Sequence, residues 1–176
     1  MKKIIFIFLS LIFMSGCSAK DLTDASTVNV IADSQQEAVS FERGIVYSNT
    51  TYGFTFELPE SWKGYSIVTD RWEGRAITDS GQAVVETGPQ LSIRHPLWSS
   101  KQKRQDIPIM IFTSKQWKEL QDEKFTVSAA PIGPRLLGRN DKYFFALPPR
   151  YNFTFLKGYE EVGDILNSNP LNTLKS

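Results

Sequence analysis

The chain has 176 residues, with 20 Lys and Arg against 19 Asp and Glu, a single His and a single Cys. That length allows one domain, at most one and a half, and 41% hydrophobic with 22% charged residues excludes bulk disorder and collagen-like or coiled-coil classes. One Cys makes neither an internal disulfide nor a Cys-based zinc site, and a formal charge of +1 gives no bulk drive toward nucleic acid.

Residues 1–16 read as an address and are set aside before any fold argument. Lys2 and Lys3 make a positive start, and Ile4 to Met14 is apolar except for Ser10. Eleven helical residues span about 16 Å, roughly half of the ~30 Å hydrocarbon core. The stretch therefore suits the apolar part of a signal peptide and is too short for a spanning helix. It ends Met14-Ser15-Gly16-Cys17, which resembles the bacterial lipobox, with Met where Leu is usual. The resemblance implies that Cys17 receives a diacylglycerol, that the peptide before it is cleaved, and that the new terminus is acylated. The alternative is an ordinary secretory signal with an unrelated Cys. Acylation accounts for a lone thiol in an exported chain, and two or three acyl chains anchor a protein stably without spanning the membrane. The expected location is the extracytoplasmic face of the cell membrane. Without Lys2 and Lys3 the mature chain carries 18 basic against 19 acidic residues.

Residues 17–43 hold the candidate lipidated Cys and then a segment rich in Ser, Thr, Asp, Gln and Ala, read as a flexible tether. About 25 such residues reach roughly 25–30 Å as a random coil. A short strand or helix near Val28–Ile31 or Gln36–Phe41 is an alternative there.

A single domain is expected over 44–170. Tyr52, Phe54, Phe56 and Leu58 alternate with Gly53, Thr55 and Glu57, the period of a half-buried strand, which Pro59 ends. Further strands are expected at Tyr65–Thr69, at Trp72–Thr78 and at Gln90–Arg94. Ile107–Phe112 is almost continuously apolar and predicts a central strand covered on both faces. Thr113 with Gln116 three residues on has capping-box spacing and opens a helix through about Asp122, with Trp117 and Leu120 on one face. Phe125, Val127 and Ala129 alternate as a strand. Leu136–Arg139 and Lys142–Leu147 flank Asn140-Asp141 as a hairpin. Tyr159, Val162, Ile165 and Leu166 recur at helical spacing before Pro170, and residues 171–176 are expected as a frayed tail. Mostly strands with one helix midway and one at the end predict an α+β fold, a twisted antiparallel β-sheet with helices packed on its faces.

Tyr47, Asn49, Tyr52-Gly53-Phe54-Thr55-Phe56, Leu58-Pro59 and Trp62 resemble the opening hairpin of the PsbP-like fold, an α/β sandwich, and many bacterial lipoproteins of unassigned role share such an opening. Members are binding or assembly proteins more often than enzymes, and no shared catalytic motif transfers. Read as packing, Gly53 permits a turn or bulge, Phe54 and Phe56 enter the core, and Trp62 covers the sheet edge.

Chemistry-bearing residues are few. His95 lies in Arg94-His95-Pro96-Leu97-Trp98 and is either a general base or ligand-gripping imidazole or a strand-end loop residue. No Gly-rich phosphate loop, Gly-x-Ser-x-Gly elbow or calcium-loop pattern occurs, and no cofactor or metal is expected. Glu160-Glu161 are acids of a glycosidase-like pair or favourable charges on a helix N-terminus. Lys101, Lys103 and Arg104 form a solvated loop or touch anionic headgroups or polymers. Four Trp, six Tyr and twelve Phe leave aromatic groups for an interface, with Tyr65, Trp72, Trp98, Arg150 and Tyr151 as the candidate anchors beside Arg94 and His95. Two functions follow: a membrane-anchored binding or assembly module for a protein or envelope polymer, without nucleic acid, or a small extracytoplasmic hydrolase with His95 as base.

Overall fold

Period-two alternation builds the first hairpin. In the computed structural model, which describes residues 44–129 and 132–174, strands β1 (Ile45–Asn49) and β2 (Phe54–Leu58) pair antiparallel from Ile45↔Leu58 to Asn49↔Phe54. Phe54, Phe56 and Leu58 point into the core and Glu57 is exposed. Gly53 turns the chain at φ +73°, a left-handed conformation that residues with a Cβ adopt at a cost. The expected signal peptide, Cys17 and the tether lie outside the described residues, as do residues 175 and 176.

A short 3-10 turn (Glu60–Trp62) then carries Trp62 inward. At 1% exposure, Trp62 belongs to the core itself, where it was expected to cover a sheet edge. The chain continues as β3 (Ser66–Thr78), β4 (Gly81–Arg94), β5 (Ile107–Thr113), helix α1 (Ser114–Gln121), β6 (Arg135–Arg139), β7 (Tyr143–Leu147), helix α2 (Tyr159–Asn167) and β8 (Leu171–Thr173).

Two antiparallel sheets form where one was expected. The smaller has the order β1-β2-β8 and the larger β3-β4-β5-β7-β6. Strand β8 corrects the expected frayed tail: Leu171 pairs with Phe56 and Thr173 with Phe54, and Glu57 N donates to Pro170 O at 2.9 Å. The physical reason is that β2 carries core phenylalanines and its outer edge would otherwise stand unpaired. The expected strands at 65–69 and 72–78 are one continuous β3, with a register irregularity at Gly74/Arg75. The expected strand at 90–94 is the end of a fourteen-residue β4, whose first half pairs with β3 alone. Phe125–Ala129 is not a strand. Only Thr126 bridges, to Arg75, while Phe125 turns inward as a buried ring.

β5 is central and buried on both faces, as its apolar run predicts. Ile107, Ile109 and Ile111 face a core shared with Phe54, Phe56 and Leu58 of the small sheet and with Val162, Ile165 and Leu166 of α2. Met110 and Phe112 face a second cluster with Trp72, Phe125 and Ala146, on which Trp117 and Leu120 of α1 pack. The small sheet and α2 thus cover one face of the large sheet, and α1 covers the other. The capping box at Thr113 forms as expected: Thr113 Oγ1 accepts from Gln116 N at 3.2 Å and Gln116 Oε1 accepts from Thr113 N at 3.1 Å. All described residues fall in one compact unit.

Candidate functional site

β4 ends at Arg94 and β5 begins at Ile107, so residues 95–106 form one connection. Arg94 crosses its base. Its Nη2 donates to Asp106 Oδ2 at 2.7 Å and its Nε lies 3.2 Å from both carboxylate oxygens. The same guanidinium sits 4.0 Å from the centre of the Trp98 ring. Two of the expected ligand-binding groups therefore bind each other, and the hydrogen bonds to Asp106 raise the Arg94 pKa.

His95 is only 4% exposed. Its Nδ1 accepts from Leu97 N at 3.0 Å, which leaves the neutral ring's proton on Nε2, and the ring meets Trp62 edge-on at 5.0 Å. Burial, reinforced by the nearby Arg104 cation and opposed by Glu161, lowers its pKa from the ordinary imidazole value. The loop expected to display these groups instead packs them.

Glu161 supplies the link that local sequence could not reveal. Placed in the first turn of α2, it is more than a helix-terminal charge. Its Oε1 accepts from Ser61 Oγ at 2.8 Å and from Trp62 Nε1 at 3.2 Å, and its Oε2 from Arg104 Nη2 at 3.4 Å. Arg104, expected in a solvated basic loop, is thereby drawn in to 13% side-chain exposure. The buried Gln105 donates to Asp106 O and Tyr151 O at 3.0 and 3.2 Å, tying this connection to the loop after β7. Gln105 Oε1 and Arg104 Nε have no hydrogen-bond partner among the described residues.

The remaining candidates separate. Trp72 is a core residue and not an interface anchor: at 3% exposure it donates from Nε1 to Ile111 O at 2.9 Å and stacks on Phe112 at 4.4 Å. A large flat ring in a pocket with its one donor satisfied has nothing left to offer a partner. Tyr65 is half-buried and edge-on to Tyr47 at 5.9 Å, and burial raises its hydroxyl pKa. Tyr151 packs on the larger core, while Arg150 is exposed at φ +53°. Both border a hollow of about 250 Å³.

A wider concavity lies on the α1 side of the large sheet. A groove of about 920 Å³ runs between α1 and the tip of the β6–β7 hairpin, bordered by Trp117, Lys118, Gln121, Arg139, Asn140 and Phe144. Trp117 and Phe144 stack at 5.2 Å and 9°, and the Arg139 guanidinium lies 5.8 Å above the Phe144 ring. Lys118 is held by Asp122 at 2.6 Å. Asn140 is fixed from both ends: its Nδ2 donates to Tyr52 O and Gly53 O, and its Oδ1 accepts from Lys142 N and Tyr143 N. This is a rigid aromatic floor with a cation over it and an amide at its rim. Its volume is in the range of small-ligand and peptide sites. None of these residues stood out in the sequence, where helical spacing turns Trp117 inward without showing that one edge of it reaches a groove.

Among the described residues, no group of three or more His, Cys, Asp or Glu is arranged to hold a metal ion. No protein-family model, curated protein or solved structure matches this chain.

Proposed function

We propose that this chain is a lipid-anchored extracytoplasmic lipoprotein whose domain acts as a binding or assembly module for another component of the cell envelope. The groove between α1 and the β6–β7 hairpin is its docking site. The observation that carries the reading is the groove itself: a stacked Trp117–Phe144 floor under Arg139 offers apolar area and a cation on elements held rigid by the sheet. The lipobox-like ending at Cys17 supports the anchor. The Tyr-x-x-x-x-Tyr-Gly-Phe-x-Phe opening supports kinship with PsbP-like sandwiches, since Tyr47 and Phe54 meet edge-on at 5.8 Å in the packing role that such an opening needs. The hydrolase alternative draws no support from an imidazole whose Nδ1 lone pair is already taken by Leu97, because a general base needs a reachable lone pair.

A photo-crosslinking side chain at Gln121, in the lipidated protein in its own membranes, should capture one defined envelope component. The same group at Ile77, which is 83% exposed on the β3–β4 hairpin, should not. Trp117→Ala should abolish the capture. Equal capture at both sites would refute the groove, and failure of the native chain to show uptake of a labelled fatty acid that Cys17→Ala abolishes would refute the anchor.

A further inference from the structure

Two phenylalanines in the connection between β7 and α2 are the only exposed aromatic residues among the described residues. Phe153 is 71% exposed and Phe155 67%. They follow a run of tight turns, with Phe153 N donating to Arg150 O and Phe155 N to Asn152 O, both at 3.0 Å. Phe155 lies at φ +48°, a left-handed conformation that costs a bulky residue energy, and its ring meets Tyr159 edge-on at 5.2 Å while most of it stays open to solvent.

Cations flank them. Arg104 bridges to Lys157 in parallel and Gln105 N donates to Lys157 O at 2.9 Å. The chain at Lys103 therefore runs beside the chain that has just left Phe155. Lys101, Lys103, Arg150 and Lys157 are exposed and make no ion pair within the described residues. Of the bordering acids, Asp106 is paired with Arg94 and Glu161 with Arg104, while the exposed Glu160 keeps its charge and accepts from the Tyr159 hydroxyl at 3.2 Å. Exposed apolar rings beside four unpaired cations, with Glu160 the one unpaired acid among those named, form a pattern by which a surface loop enters the interface of an anionic bilayer. The rings are immersed and the lysines stay at headgroup level.

We infer that the loops 99–105 and 150–157 form a second, direct contact with the membrane, in which Phe153 and Phe155 enter an anionic lipid leaflet and Lys101, Lys103 and Lys157 hold its headgroups. The contact goes beyond the proposed groove and does not require acylation of Cys17.

The test uses the full chain carrying Cys17→Ser, so that an introduced Cys is the only thiol. A polarity-sensitive fluorophore is attached at Phe153→Cys. A control carries it at Ile77→Cys, eleven residues along β3 from Ser66, roughly 36 Å of extended strand. Vesicles of phosphatidylcholine containing about one-third phosphatidylglycerol supply the anionic surface. The label at 153 should shift to the blue and be quenched by brominated acyl chains on these vesicles, and not on pure phosphatidylcholine; the label at 77 should stay in water. Each Lys→Gln at 101, 103 and 157 should lower the apparent affinity about fivefold, and the triple variant on the order of a hundredfold. Phe155→Ser should lower it at least about tenfold. No blue shift at 153, or an equal shift at 77, overturns the inference. So does charge-dependent binding with the label still in water, which would mean contact with an anionic polymer or headgroup layer without immersion. A shift that grows with protein concentration in the absence of lipid also overturns it, as self-association.

Discussion

His95 is the chain's only imidazole, so any stability change between neutral pH and the onset of carboxylate titration can be assigned to it. Its native pKa lies below the ordinary value because it is buried beside Arg104. The unfolded chain therefore takes up the proton first, at about pH 6.5. Stability should be fully present above that pH, decline as pH falls through it toward the lowered native pKa, and level off below, with a slope of at most about 1.4 kcal/mol per pH unit. Denaturant melts from pH 7.5 down to about 5 should show this decline in the native protein and a flat profile in His95→Gln, whose amide oxygen can still accept from Leu97 N. An unchanged slope in the variant would remove His95 from the account. The residue's type was legible in the sequence and its role was not. Arg94-His95-Pro96-Leu97-Trp98 reads as four functional groups on display, yet what decides its use is Glu161 and Trp62, which come from parts of the chain 66 and 33 positions away.

Among the elements, legibility followed burial. β2 and β5 were readable because strict alternation and a continuous apolar run each mark one pattern of burial, and α1 because its cap is written within four residues. The first half of β4 was not, since Gly81–Pro89 is half-exposed and mixed in polarity. It is a strand because β3 lies beside it, and Pro89 is tolerated where β4 is paired on one side only. The hairpin at Asn140 shows the same limit. Asn140-Asp141 reads as a two-residue turn, but the loop takes in Lys142 as well, because Asn140 Oδ1 accepts from both Lys142 N and Tyr143 N. Its Nδ2 meanwhile holds the small sheet at Tyr52 O, 2.8 Å away. Asn140→Ala should cost about 1–3 kcal/mol by leaving these groups unpaired. Asn140→Asp should cost about as much at neutral pH, since it sets a carboxylate against two carbonyls while keeping the turn's acceptor. Its loss alone should shrink on acidification into the carboxylate range, as the carboxyl gains a donor proton. Thermal melts of both variants at neutral and mildly acid pH decide this, and an Asp variant as stable as the native chain at pH 7 would refute the link between the sheets.

On the scale of the whole molecule, the fold closes by bringing the end of the domain back to its beginning. β8 pairs with β2 across 115 positions at Phe56↔Leu171, and Leu174 N donates to Gly53 O at 3.0 Å, beside the turn that Asn140 grips. No local pattern marks a three-residue strand, because Leu171, Asn172 and Thr173 acquire their conformation from the edge they complete. That edge is what makes the segment matter: β2 carries Phe54 and Phe56, both fully buried, and an unpaired β2 would present a phenylalanine-bearing strand to other chains. Ending the chain at Asn169 should therefore cost about 3–5 kcal/mol, from the lost burial of Leu171 and a few backbone hydrogen bonds. It should also make association concentration-dependent. Urea melts and sedimentation of the shortened chain measure the two effects separately. Lost stability without association would mean that the β2 edge is shielded by neighbouring side chains. Unchanged stability would mean that β8 rests on a sheet already complete with two strands, so that edge completion could not be the physical reason for the third.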